Sequence, residues 1–556
     1  MTILKTQSEF GHAPPPQTPY SVVTNLPGWD VAKAIRDGDH APMKRVVHIY
    51  PRFVATHYAA QAKLGSEIAK HVGHTDKAAL VYLSPAIWPY TLHHITHSNR
   101  GESRVEKHDV VFKCVDIAGH RLYAILFNPA TMPVMMLTWQ NPGLGISLRG
   151  AEQLLKGITT IKEVSFDVEM ENLPSPSWTP ESEVHDALRE RIVELLHRAP
   201  RDADKVKCTP RDVFLYPTGM AAIFYSNTLL TKRRPGTVVV LGVVFHNTYH
   251  HLIEECLQGM KHFGRVDSEG IAILEKWLKG EKEAGRSVSY VFVEVPGNPT
   301  LDTPDTARLK RLSEEYDFIL IVDDTIGGFA NIDVLAHSDI LLSSLTKSFS
   351  GYANVMGGSV VLNPLSSHYQ TLHSLFRESH HNELFIADAE VLLSNSGDFL
   401  ERTRILNRNA LAMADFLYEV ISFPGSPIIN VQYPSLLNSK ANYDAILRQS
   451  TPEIPKPGYG CLLTVEFSSV EAATAFYNKA GFYPSPHLGG HVTIMLPYNM
   501  MVFGKKPGEK AYMDELGVRE ASVRISAGLE SEEDLIDTLR DALQAATKPD
   551  EKVRNE

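Results

Sequence analysis

A lysine among small hydroxyl residues is the first feature of this chain with a clear chemical use. In SSLTKSFSGYANVMGG, residues 343–358, Ser344, Thr346 and Lys347 directly follow an apolar run and precede a glycine-containing loop. An amine at a strand exit can condense with a carbonyl compound, and burial readily shifts a lysine toward its nucleophilic free base. A lone lysine is far more often a solvated surface group, so the assignment depends on its company. Four segments supply that company. Thr218, Gly219 and Met220 form a turn that opens a helix, where unpaired N–H groups and the helix dipole favour an anion such as a phosphate. In FILIVDDT, Asp323 and Asp324 end a buried strand, where a carboxylate can keep a ring nitrogen protonated or simply cap a turn. In EVPGNPT, Asn298 stands between Gly297 and Pro299, as an amide donor to a ring hydroxyl or as a turn asparagine. In ASVRISAGLE, Arg524 offers a guanidinium fork to a substrate carboxylate, or makes an ordinary surface ion pair.

These residues need elements to bring them together, and the hydrophobic rhythm predicts them. Helices are expected over 181–197, 220–230 and 306–316, and strands over 238–244, 288–294, 318–322 and 340–343. Alternation of this kind predicts an α/β fold with a mostly parallel sheet flanked by helices. Ligands of such sheets bind beyond the carboxyl ends of the strands, where Asn298, Asp323 and Lys347 fall. Ahead of this unit, a helix near 55–71 and two strands, 109–115 and 121–127, around the turn residues Ala118 and Gly119 predict a small mixed domain. The segment ENLPSPSWTP, residues 171–180, breaks any regular element with three prolines. After it, a long helical stretch over 387–420 and strands at 461–467 and 522–526 predict a smaller C-terminal domain. The expected organisation is an arm over 1–20, an N-terminal extension over 21–175, a large domain over 176–365, a C-terminal domain over 366–545 and a tail over 546–556. The Pro-rich start and charged end offer too little apolar surface to offset the entropy of ordering them, so both are expected to be solvated.

With 556 residues the chain is too long for a single core, and 43% hydrophobic residues is ordinary for globular proteins. The longest apolar runs are strand-length, well short of a membrane span. A net charge of −11 gives no electrostatic reason to bind nucleic acid. Cys114, Cys208, Cys256 and Cys461 are scattered without paired spacing, which predicts neither a disulfide framework nor a zinc knuckle and fits a reducing, cytoplasmic setting. The first twenty residues show no targeting pattern. His93, His94 and His97, and His246, His250 and His251, invite a metal reading, but no Cys or carboxylate stands nearby at ligand spacing, so no metal is expected.

Taken in order, the phosphate turn, Asn-Pro, strand-Asp, Ser-x-Thr-Lys, Met-Gly-Gly and Val-Arg-Ile-Ser-x-Gly-Leu-Glu resemble the cystathionine gamma-synthase branch of the Cys/Met-metabolism pyridoxal-phosphate (PLP) enzymes. The likeness covers roughly residues 205–535, and the longer N-terminal region together with TKSFSGYANVMGGSVVLNP is similar to the fungal-type members. The resemblance implies a type I, aspartate aminotransferase-like PLP transferase fold. It implies Lys347 as the Schiff-base lysine, Asp323 on the pyridine nitrogen and Asn298 near the ring hydroxyl. Gly219, Met220, Ser344 and Thr346 would then bind the phosphate, and Arg524 the substrate carboxylate. The implied reaction is γ-replacement on an O-acyl-L-homoserine, with cysteine as the usual nucleophile, in a homodimer or homotetramer whose sites lie at a subunit interface.

The chain also departs from the family pattern. Where relatives place a tyrosine over the cofactor ring, this sequence has Phe245, His246, Asn247, Thr248 and Tyr249. Phe245 can stack but cannot exchange a proton, and Tyr249 is the neighbouring candidate for substrate contact. The Tyr-x-Arg pair that many members send to the partner's phosphate is missing from FDVEMENLPSP, residues 166–176. In place of Ser-Leu-Gly-Gly stand His487, Leu488, Gly489 and Gly490, making His487 a candidate for choosing the second substrate or a structural histidine. Two alternatives stay open: a gamma-lyase or a γ-substitution enzyme using a carbon nucleophile such as an enolate, and a catalytically silent interaction protein. The intact Lys347, Asp323 and Arg524 set speaks against silence.

Overall fold

The computed structural model describes residues 2–39, 41–48, 50, 60–97, 104–167, 173–176, 181–256, 259–503 and 507–547. Its first sheet is antiparallel, with strands β1 (Ala78–Tyr82), β2 (Val111–Ile117), β3 (His120–Phe127) and β4 (Lys162–Val164) in the order β1-β3-β2-β4. Ala118 and Gly119, at φ 50° and 85°, make the tight turn between β2 and β3, a left-handed pair that matches the twist of a hairpin. Alternation along β3 decides its two faces. Leu122, Ala124 and Leu126 meet the helices Ala60–His71 and Leu148–Lys156, while Tyr123, Ile125 and Phe127 join the core of the large domain. The helix expected over 55–71 is seen as Ala60–His71, residues 55–59 lying outside the described residues.

The central sheet has seven strands: β5 (Val213–Tyr216), β6 (Thr237–Leu241), β7 (Met260–Phe263), β8 (Val288–Glu294), β9 (Ile319–Asp323), β10 (Ile340–Ser343) and β11 (Gly358–Leu362). Their order is β5-β11-β10-β9-β8-β6-β7, and β11 alone runs against the rest. Both faces are covered, which is why β6, β8, β9 and β10 read as continuous apolar runs. Val239, Val291, Leu320 and Leu341 point to one face, under the helices Glu183–His197, Ser268–Glu283 and Thr306–Tyr316. Val240, Phe292, Ile321 and Leu342 point to the other, against the helix Gly219–Arg233 and the N-terminal domain. Each fully buried side chain of this kind contributes about 1.5–3 kcal/mol.

The third sheet joins β12 (Ile428–Gln432), β13 (Leu462–Phe467), β14 (Tyr483–Pro484), β15 (Ile494–Leu496) and β16 (Ser522–Ser526) in the order β12-β13-β16-β15-β14. The single helix expected over 387–420 is two, Ile386–Asn395 and Phe399–Ile421, separated by a 3-10 turn at Ser396–Asp398 where Gly397 and the side chain of Asp398 break the pattern. Leu372, Phe376, Ala389 and Leu392 pack into the cores around the seven-stranded sheet, so helices Tyr369–Ser379 and Ile386–Asn395 belong to the large domain although they follow position 365.

The expectation of a solvated arm over 1–20 is corrected by the packing of residues 2–26 along the C-terminal domain and against the Ala353 loop of the large domain. Leu4 N donates to Thr538 Oγ1 at 2.8 Å, Gln7 N to Tyr483 Oη at 3.1 Å and Val22 N to the Ala353 carbonyl at 2.7 Å. The segment is poor in local apolar surface but borrows burial from a distant domain, which a local composition argument does not count. Of the expected tail over 546–556, residues 548–556 lie outside the described residues. Gly481 marks the contact: a Cβ there would fall 1.7 Å from the Leu4 carbonyl oxygen. Gly481→Ala is therefore expected to lift the arm, removing hydrogen-exchange protection at the Leu4 and Gln7 amides while leaving β8 protected. Its cost in chemical denaturation should be roughly 1–3 kcal/mol.

Candidate active site

The carboxyl ends of the parallel strands open into one cleft, lined by Gly219, Met220, Phe245, Asn298, Asp323, Ser344, Lys347 and Arg524 among others. Eight of the sequence-predicted site residues thus share a wall. The sheet register explains part of this. Glu294 and Asp323 are partners on β8 and β9, so both side chains leave the same face at the same height. Thr325 links neighbouring strand exits, its N–H donating to Asp323 Oδ1 at 2.9 Å and its Oγ1 accepting from Ser344 N at 2.8 Å. Across the cleft, Arg524 arrives on β16 from the C-terminal domain. Its Nη1 donates to Asn298 Oδ1 at 2.9 Å, and its guanidinium lies 4.1 Å from the ring centroid of Tyr498.

The start of helix Gly219–Arg233 forms another wall. Thr218 caps it by accepting from Ala221 N at 2.9 Å, and the same hydroxyl donates to the Gly143 carbonyl of the N-terminal domain at 2.9 Å. A Cβ on Gly219 would sit 2.8 Å from Ser344 Cβ, and one on Gly358 only 2.4 Å from the Thr218 carbonyl. Glycine at these points lets the backbone of the 218–219 turn lie close against the lysine-bearing segment and β11, which accounts for the second glycine of the Met-Gly-Gly motif. Beyond Lys347 the loop is clamped by Arg402, which donates to the carbonyls of Ser348, Phe349 and Asn395.

Burial dominates the electrostatics. Asp323 is 7% exposed, and desolvation raises its carboxyl to about 6 against the stabilising bonds from Thr325. Glu294 is raised well above the usual carboxylate range by burial and by the adjacent Asp323, while its Oε1 accepts from Phe245 N at 2.8 Å. Burial lowers Arg524. Lys347 Nζ lies 3.4 Å from His487 Nδ1 and 5.1 Å from the ring centroid of Tyr50. The donor set fits PLP. A buried carboxylate short of a counterion suits a protonated ring nitrogen, the helix start with Ser344 suits a phosphate, the Lys347 amine suits an aldehyde, and Phe245 supplies a flat apolar ring.

Three expectations change with the geometry. Thr346 is buried, but its hydroxyl donates to the Gly357 carbonyl and accepts from Gly357 N, so it shapes the loop rather than facing the cleft. Tyr249 faces a separate cleft with His93, His94, His97, His250 and Tyr512, its ring 5.0 Å from that of His262. His487 meets Lys347 instead of lining the substrate wall, because Gly489 folds its loop back onto Ser348. The histidine clusters serve pairings: His94 Nδ1 lies 3.1 Å from Glu254 Oε2, His250 Nε2 lies 3.4 Å from Glu509 Oε1, and His246 Nδ1 lies 3.0 Å from Tyr498 Oη. Among the described residues, no group of three or more His, Cys, Asp or Glu could hold a metal ion, and no helix is long and apolar enough to cross a membrane.

Sequence reasoning missed Glu294, Thr325, Tyr50 and Tyr498. Tyr50 lines the cleft. Tyr50-Pro51-Arg52 has the Tyr-x-Arg spacing that FDVEMENLPSP lacks, although Arg52 lies outside the described residues. The pattern was searchable; its position, more than a hundred residues before the main domain, hid it.

Asp323 sets a pH test. Its folded-state pKa of about 6 lies above the ordinary carboxylate value near 4, so its contribution to stability is fully present below about pH 4 and is lost as pH rises through about 6. Cofactor-free protein should lose melting temperature across that window, and Asp323→Asn should lose less. Added PLP should oppose the loss in the parent but not in Asp323→Asn. Asp324, raised to about 7 and bonded by the Ser343 hydroxyl, does not line the cleft, so Asp324→Asn should leave the PLP effect in place. Thermal melts of the three proteins with and without PLP decide between the two carboxylates.

Residues 207–544 match the family model described as Cys/Met metabolism PLP-dependent enzyme. An alanine racemase of Aspergillus violaceofuscus is 30% identical over 578 residues, covering 96% of each chain. A cystathionine gamma-synthase-like enzyme of Amanita muscaria is 29% identical, covering 97% of this chain and 98% of its own. In structure, the fold is that of cystathionine gamma synthase from Xanthomonas oryzae pv. oryzae, with a TM-score of 0.53 and 22% identity over 69% of this chain and 91% of that one. With residues 207–544 matched by the family model and a relative 30% identical along 96% of its length, the chain belongs to the Cys/Met-metabolism PLP-dependent enzymes.

Proposed function

We propose that the protein catalyses γ-replacement on an O-acyl-L-homoserine, with cysteine as the nucleophile. The observation that carries this reading is the single cleft shared by Lys347, the buried Asp323 and the Arg524 fork. When bound, PLP supplies an electron sink that allows bonds at the α, β and γ carbons of an amino acid to be broken and remade. Lys347 would hold it covalently and, once displaced by substrate, would take the α proton on Nζ and return protons along the chain. Asp323 would keep the ring nitrogen protonated. A guanidinium has five N–H donors, so Arg524 can bind Asn298 and still meet the substrate carboxylate. Asn298, with its Oδ1 given to Arg524, would have its amide hydrogens left for the ring hydroxyl. Dimers or tetramers of this chain are expected, as light scattering would show.

A second reading rests on the lining itself. Beside the two cations Lys347 and Arg524, the cleft wall includes Ile223, Phe245, Pro296, Ile326, Pro486 and Leu488. Among the described residues that line it, no further cation waits for a second amino acid, which favours a less charged nucleophile such as an enolate. Incubation with acylated homoserines and a panel of nucleophiles, with products identified by mass, separates these readings. Release of the acyl acid with formation of cystathionine supports the first, and a carbon-linked product the second. Exchange of the α hydrogen without acyl release would overturn both and point to racemisation, the activity named for the Aspergillus violaceofuscus relative.

Lys347→Ala is expected to retain the fold by circular dichroism and to lose turnover by at least about 10²–10⁴-fold, with loss of covalent attachment. Borohydride reduction and peptide mapping should place the cofactor label on Lys347 in the parent. Arg524→Ala should raise the KM for the amino-acid substrate by roughly tenfold or more, since each charge-assisted hydrogen bond contributes about 1.5–3 kcal/mol, while cofactor retention stays close to that of the parent. Arg524→Lys should recover only part of the loss.

A further inference from the structure

We propose that His487 is the positioning residue of Lys347: its Nδ1 accepts a hydrogen bond from the lysine amine and so fixes where that amine sits and how tightly it keeps its proton. The proposal rests on the reading of Lys347 as the reacting amine and adds a role that no residue of the proposed mechanism fills. Nδ1 lies 3.4 Å from Lys347 Nζ, and the imidazole is 1% exposed. An ammonium donates only, so Nδ1 must be the acceptor and the ring proton must be on Nε2.

The contact differs from those of the structural histidines in this chain. His185 is held at both nitrogens, by Ser182 and by the Leu384 carbonyl, and His262 by Tyr512 and the Gly242 carbonyl. His487 Nε2, although buried, finds no hydrogen-bond partner among the described residues. The ring is therefore not anchored by a polar network of its own. What orients it is the backbone beneath it and the lysine beside it. Gly489, at φ +72°, brings that backbone so close that a Cβ would fall 2.4 Å from Ser348 Oγ and 2.5 Å from Ser348 N, and Gly489 N donates to Ser526 Oγ at 2.9 Å. The residue next to Lys347 and the residue two places beyond His487 are thus in direct contact, which fixes the separation of the two side chains.

The charged and titratable groups around the imidazole are Lys347 on its loop, Arg524 on β16, His491 on its own segment and Tyr50, whose ring centroid is 6.2 Å away. Burial first, then the positive field of Lys347 and Arg524, holds His487 well below the ordinary histidine range and keeps it neutral as an acceptor at physiological pH. A serine hydroxyl in this place would leave more room and could donate as well as accept. The imidazole can only accept at Nδ1, so it favours the ammonium form of the lysine.

The test reads Lys347 directly in cofactor-free protein. Competitive labelling with isotope-coded acetic anhydride across pH, followed by digestion and mass spectrometry, gives the apparent pKa of Lys347 against exposed Lys279 as an internal reference. His487→Leu, which removes the acceptor, should lower that pKa by about one unit, close to tenfold more labelling at a fixed pH below it. His487→Asn, whose amide oxygen can accept, should stay near the parent. Should His487→Leu fail to fold, His487→Ala takes its place with the same expected direction. An unchanged Lys347 pKa in the folded Leu or Ala variant overturns the proposal. Borohydride mapping of the loaded parent separates the two readings: a label on another lysine overturns the assignment of Lys347, whereas a label on Lys347 with unchanged pKa overturns only the role of His487.

Discussion

Asp323 and Glu294 stand side by side at the ends of adjacent parallel strands, both buried, with Lys347 and Arg524 as the cations of their cleft. Charges taken out of water are costly unless paired, and like charges this close raise one another's pKa. The rest of the site can be read as the answer to that cost. Thr325, through its backbone N–H and its side chain, stabilises the Asp323 carboxylate and the Phe245 amide donates to Glu294, which is too little to restore ordinary acidity. The unmet demand is for a cation at the open end of Asp323, and in the proposed reading a protonated pyridine ring would meet it. The cofactor is therefore expected to stabilise the folded protein as well as to serve its chemistry.

A desolvated centre needs walls from several sources, and all three domains contribute. The large domain supplies the strand ends and the start of helix Gly219–Arg233, and the C-terminal domain supplies Arg524 and His487 on and beside its sheet. The N-terminal domain is part of the same construction. One face of its sheet completes the core beneath β6, β8 and β9, the Gly143 carbonyl receives the Thr218 hydroxyl at the helix start, and Tyr50 closes the cleft beside Lys347. Close backbone approaches at Gly219 and Gly358 within the large domain, and at Gly489 between the C-terminal and large domains, hold these elements together. A side chain at any of the three would separate elements that must touch for the cleft to form.

Much of the large domain was legible in the sequence. The strands Val288–Glu294 and Ile340–Ser343 and the helix Thr306–Tyr316 fall where hydrophobic rhythm predicts them, because a strand buried on both faces and an amphipathic helix each leave a local pattern. Eight predicted site residues line one cleft, and seven of them for a related reason: they stand at strand ends or open a helix, so their positions follow from the topology, whereas Arg524 comes from within β16. Thr346, Tyr249 and the arm over residues 2–26 were misplaced because their environment is set by contacts distant in sequence, or by which way a side chain turns within a loop.

By itself, the sequence determined the order of the elements in the large domain and the resemblance to the family, and it nominated candidate residues for the cofactor, since these depend on local periodicity and on residue types at fixed spacing. The tertiary structure alone decided that Glu294 shares the field of Asp323, that Asn298 gives its oxygen to Arg524, and that His487 meets Lys347 while His250 and Tyr249 turn to another cleft. Each of those outcomes joins residues far apart in the chain. Strand register, domain docking and glycine-mediated backbone contact set the distances between them, and desolvation at those distances sets their charge.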